Sequence, residues 1–90
     1  MTPDAAETLA LRVLGFVAAD DRALQGLQVM TGLDAGTLRN RAIEPEVLAG
    51  VLDFLLSDEK QLLAFCEATE VDPHLPGQAK AVLIGEPLYD

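Results

Sequence analysis

Residues Val47 to Leu56 read VLAGVLDFLL, a run with a single charge, Asp53, followed at once by SDEKQLLAF. At 100° per residue, Val47, Leu48, Val51, Leu52, Phe54 and Leu55 fall on one broad arc. A helix with so wide an apolar face is nearly surrounded by neighbours. Pro45 before it and Ser57-Asp58 after it limit it to about 12 residues. That suits a core helix and is too short for a bilayer. The rest of the chain therefore has to wrap this segment.

Helix signals recur on both sides of it. Thr2-Pro3-Asp4 places a capping hydroxyl, a first-turn proline and a carboxylate at a helix start. Ala6, Leu9, Ala10, Val13, Phe16 and Val17 then repeat at three and four residues, so the first helix is expected to run to about Ala19. Asp20-Asp21 ends it and caps a second helix, one face of which is marked by Leu24, Leu27, Met30 and Thr31. Gly32 stands where a left-handed residue closes a helix. Asp34 caps a short third helix through about Ala42, anchored by Leu38. Pro45 opens the central helix. Ser57 is expected to cap a fifth from Asp58 to Thr69, with Leu62, Phe65 and Cys66 inward. Asp72-Pro73 announces a sixth through Ala79, Val82 and Leu83, stopping at Gly85. Pro76-Gly77 weakens its first turn. No segment alternates as a half-buried strand would, so the fold class is all-α, a compact bundle of five to six short helices.

Sliding the chain on itself by 38 residues aligns 9–34 with 47–72. Val13/Val51, Leu14/Leu52, Phe16/Phe54, Asp20/Asp58, Leu24/Leu62, Thr31/Thr69 and Asp34/Asp72 are identical pairs. Amphipathic hairpins with capping aspartates match partly by chance, but here the register holds without a gap through two helices, a turn and a third cap. Two three-helix units around a pseudo-two-fold axis, within a single domain spanning 1–90, are the expectation. Two repeats are too few for an open solenoid.

Charge narrows the partners. Fifteen acidic residues against six basic ones give −9, which repels phosphates, so neither nucleic acid nor an anionic membrane is expected. A lone cysteine forms no internal disulfide and fits a reducing cytoplasm. Met1-Thr2-Pro3-Asp4 has no basic signal-peptide start.

Chemistry-bearing residues are few. Asp20-Asp21 and Asp58-Glu59 are explained as helix caps. Cys66 shares a face with core residues and reads as a structural thiol. A Cys66–His74 dyad has suitable residue types, but nothing in the pattern orients the imidazole. One Cys and one His fall short of a metal site. TGLDAGTLRNRA has the outline of a helix-turn-helix, yet Arg39 and Arg41 cannot offset the net charge and pair more naturally with Glu44 or Glu46. Leu11 lies about 160° from the centre of its helix's apolar stripe at helical spacing, and Leu56 is comparably placed. Leu63 and Val29 are flank or outward positions. These four are candidate partner-binding residues, unless they are scattered exposed side chains or are covered by Leu88-Tyr89.

TPDAAETLALRVLGF, then TGLD, LR-x-RA and above all VLDFLL-x-DE, resemble a short uncharacterised proteobacterial family, a domain of unknown function. The similarity runs nearly end to end. It implies a small cytoplasmic all-helical protein, with no activity or catalytic residues to carry over. The leading expectation is a non-enzymatic protein-protein interaction module without cofactor, binding an unidentified protein or itself. The alternative is a small-molecule or cryptic enzymatic pocket between the two halves near Cys66 and His74. DNA binding comes third.

Overall fold

The computed structural model describes residues 1–85 and contains six helices over that range, with no strand among the described residues. The expectation that Leu88-Tyr89 cover outward leucines concerns residues outside that range.

Helix α1 spans Pro3–Ala18, and Thr2 Oγ1 accepts from the Ala5 N–H at 3.1 Å, as the capping pattern requires. Its inner face, Ala6, Leu9, Ala10, Val13 and Val17, is buried. Helix α2, Asp21–Thr31, is capped by Asp20, which accepts from the Arg22 N–H at 3.0 Å. It closes on Gly32 at φ 71°, a left-handed conformation that costs glycine nothing. Helix α3, Ala35–Asn40, begins on the Asp34 carboxylate and buries Leu38. It stops short of the expected Ala42, because Arg41 leaves helical geometry and turns its guanidinium to Glu44 in two hydrogen bonds.

Helix α4, Pro45–Leu56, is the central element: Val47, Leu48, Ala49, Val51, Leu52 and Leu55 are all buried. Phe54, placed on the same arc, is only partly buried. The fifth helix corrects one expectation. Helix α5, Glu59–Thr69, is capped by Asp58, whose carboxylate accepts from the Gln61 N–H. The Ser57 hydroxyl instead donates backwards to the Phe54 carbonyl and finishes α4. Helix α6, Leu75–Leu83, keeps Pro76 and Gly77 in its first turn, where the proline's absent N–H is not needed.

Helices α1, α4 and α6 pack on one another to form the centre, with α2 and α5 laid against it. One apolar cluster runs from Ala6 to Ala79. The radius of gyration of 12.1 Å matches the roughly 12 Å of a compact chain this long. The helices therefore close on a shared core and do not string out.

Local geometry is alike at positions 38 residues apart. Ala19 and Ser57 end their helices at φ/ψ of −75/−12° and −77/−12°. Thr31 and Thr69 each donate to the carbonyl four residues back, at 2.8 and 2.7 Å. Gly32 and Glu70 both take left-handed conformations, and Glu70 is the one non-glycine with positive φ among the described residues. The aromatic residues cross over in matching fashion. Phe16 of α1 meets Phe65 of α5 edge to face at 5.4 Å, while Phe54 of α4 lies against Gly26 of α2. A side chain on Gly26 would stand 3.1 Å from that ring, so the glycine admits the close approach.

Candidate functional site

Two concavities stand out. The larger, about 630 Å³, opens where α1 runs into α2 and α4 into α5. Phe16 and Phe54 line it, with Asp20 and Arg22 on one side and Asp58 and Lys60 on the other. These are again pairs 38 residues apart. Both aspartates are committed to backbone N–H groups, so the groove holds two cations and two capping anions, all solvent-exposed.

The second is a cleft of about 320 Å³ between α1 and α3. Helix α1 contributes Leu11, Leu14, Gly15 and Ala18, which at spacings of three and four form one stripe on the face opposite its buried residues. Leu24 and Leu38 are its floor, and Ala35, Arg39 and Ala42 its far wall. Arg39 is the single charged residue of the lining, and it has no ion pair among the described residues. Arg41, two residues on, is held by Glu44 at 2.7 Å. That bond lowers the Glu44 carboxyl pKa and raises that of the guanidinium. The arginines of TGLDAGTLRNRA thus part company: one is paired, as expected, and the other faces the cleft.

The positions matching this stripe on α4 are Ala49, Leu52, Asp53 and Leu56, and they are less exposed than those of α1. Ala49 and Leu52 are buried, and Lys80 Nζ of α6 donates to Asp53 Oδ1 at 2.8 Å. Leu56 is half-buried. It is therefore less open than the outward placement argued from helix angle alone. The other three candidates are exposed: Leu11 at 39%, Leu63 at 48% and Val29 at 80%. They do not share a concavity. Leu11 lies in the cleft, whereas Leu63 and Val29 line neither concavity. Ile43, 75% exposed in the turn after α3, escaped sequence reasoning because it belongs to no helix whose face could be drawn.

Cys66 is buried, and desolvation, with the Asp72 carboxylate adding to it, pushes its thiol pKa up. That disfavours the thiolate a nucleophile needs. His74 is exposed, and its backbone N–H donates to Asp72 Oδ1 at 2.8 Å. Neither residue lines the concavities above. Among the described residues no group of three His, Cys, Asp or Glu converges as a metal site would require, and no helix is long and apolar enough to cross a membrane.

The model of DUF3572, described as a protein of unknown function, matches residues 3–86, and the chain belongs to that family. No curated protein and no solved structure matches it.

Proposed function

We propose that this member of the DUF3572 family is a non-catalytic helical interaction module of the cytoplasm, docking another protein, or a second copy of itself, through an apolar surface set in an acidic exterior. One observation carries the reading. Helix α1 buries Ala6, Leu9, Ala10, Val13 and Val17 in the core, while Leu11, Gly15 and Ala18 stay exposed and, with half-buried Leu14 at their edge, line an open cleft. An exposed apolar stripe on a chain this size carries a solubility cost unless something covers it. A charge of −9 favours a basic or neutral partner surface. The test is Leu11→Glu. It should leave the melting temperature within about a degree or two of wild type and abolish a captured partner or a dimer seen by sedimentation. If Leu11→Glu unfolds the chain, or leaves every complex intact, the reading fails.

A second reading rests on the larger groove, whose volume of about 630 Å³ falls in the range of small-molecule sites. It lies between the halves, around Phe16 and Phe54 instead of Cys66 and His74. A ligand-induced melting shift that disappears in Arg22→Ala would favour it.

A further inference from the structure

We infer that the α1–α3 cleft seats a helix of a partner protein, which lays an aliphatic side chain over Gly15 and Ala18 and sets a carboxylate against Arg39. This rests on the module reading above and names the site and the chemistry of its occupant.

The second half of the chain serves as the template. There α6 packs on α4, and on the matching face Lys80 of α6 reaches across to Asp53. At the matching positions of the first half both members of that pair are small: Gly15 for Asp53 and Ala42 for Lys80. Ala18 stands where Leu56 fills the second half. The counterpart of α6 in the first half is α3, which forms the far wall of the cleft but ends at Asn40, before the position matching Lys80, because Pro45 begins α4 soon after. The first half therefore presents a helix-receiving surface that its own short third helix covers only in part.

Three features specify what fits. The stripe of α1 follows the spacing by which one helix receives another. No atom lies within 4 Å of where a Gly15 side chain would begin, so an incoming aliphatic group can reach the α1 backbone itself. Arg39 is unpaired among the described residues and is the cleft's single charge, so the matching group is an anion, and on a helix that is a carboxylate. The wider surface at −9 calls for a partner otherwise basic or neutral, which argues against a second copy bringing the same charge.

The test uses two synthetic helix-forming peptides on an otherwise lysine-containing background. One has two leucines a turn apart with a glutamate beside them, and the other is its twin with lysine for that glutamate. Each is titrated into ¹⁵N-labelled full chain. The expected result is shift changes centred on Gly15, Ala18 and Arg39, with the glutamate peptide binding on the order of tenfold tighter. Arg39→Glu should invert that preference. Ala18→Leu, which copies Leu56, should lose binding with its melting temperature held. Equal affinity of the twins, shifts centred on Val29 or Leu63, indifference to Ala18→Leu, or no binding of either peptide at millimolar concentration each overturns the assignment. A concentration-dependent doubling of mass that Ala18→Leu abolishes would put a second copy in the cleft and also overturn it. A captured partner or dimer that survives both Arg39→Glu and Ala18→Leu removes this cleft while leaving the module reading standing. A wild-type chain that captures no partner and forms no dimer removes that reading itself.

Discussion

Helices α1 and α4 enter the same core with nearly the same residues, Val13 and Val51, Val17 and Leu55, all fully buried. Each then hands on to a helix capped by an aspartate and closed by a left-handed residue. They differ on the faces that match at the 38-residue offset. On α4, Ala49 and Leu52 of that face are buried and Lys80 of α6 reaches across to Asp53; on α1 the face lines the open cleft. Similar halves have thus been given unlike third helices. Helix α3 is six residues long, whereas α6 continues to Leu83 and packs on both α1 and α4. The core is completed by α6, and the face of α1 that α3 leaves open is the one proposed for recognition.

The comparison can be strained first at its matched core positions. Leu27 and Phe65 are both fully buried. Phe65→Ala should cost about 3–5 kcal/mol and Leu27→Ala about 2–5, with Phe65 the larger because it also loses its edge contact with Phe16. Urea melts measure both. If Leu27→Ala proves clearly the costlier, the crossed aromatic packing does not organise the second half as described.

Those matched faces come next. Leu56→Glu drives a charge into a half-buried site and should cost about 1–2 kcal/mol, whereas Leu11→Glu should stay within about 0.5. Equal losses in thermal melts would mean that the two faces are equally covered. A smaller contrast lies in the turns. Gly32→Ala should destabilise by about 1 kcal/mol, and Glu70→Gly should stabilise by somewhat less, because only the second removes a side chain from a left-handed site. The Asp53–Lys80 pair is partly exposed, at 47% and 35% of its side chains. Asp53→Ala should therefore cost well under about 1 kcal/mol, less still in high salt; a loss that ignores salt would mean packing and not charge.

The smallest effect concerns pH. The N–H of Thr37, then its hydroxyl, hold the Asp34 carboxyl below its ordinary value of 3.8. A lowered folded-state pKa adds stability above that value and loses it as pH falls through the lowered one. Asp34→Ala should therefore melt below wild type at pH 7, and the gap should begin to narrow below pH 3.8 and close as pH passes the lowered value. A gap unchanged in acid would show that the carboxylate's charge plays no part in the cap.

Much of this was legible in the chain. The caps at Thr2, Asp20 and Asp34 and the central α4 follow from residue types whose oxygen or periodicity has one good use. Ser57 and Asp58 are adjacent and equally able caps, and only the actual reach to the Gln61 N–H decided between them. Leu56 and Leu11 take comparable angles on their helices yet differ in exposure, because a helix angle says which way a side chain points but not what the rest of the fold brings there. The cleft depends on where α3 comes to rest, which no local pattern encodes. Its one sequence trace is the exchange of Asp53 and Lys80 for Gly15 and Ala42 at the 38-residue offset.

The difference between the two faces can be measured with thiol alkylation. In a Cys66→Ala background, Leu11→Cys and its counterpart Ala49→Cys place a single thiol on that face of α1 or of α4. The account predicts that the thiol at position 11 reacts nearly as fast as in the denatured chain, while that at 49, where the native residue is 7% exposed, reacts only on unfolding. Comparable rates at the two positions, whether both fast or both slow, would contradict it.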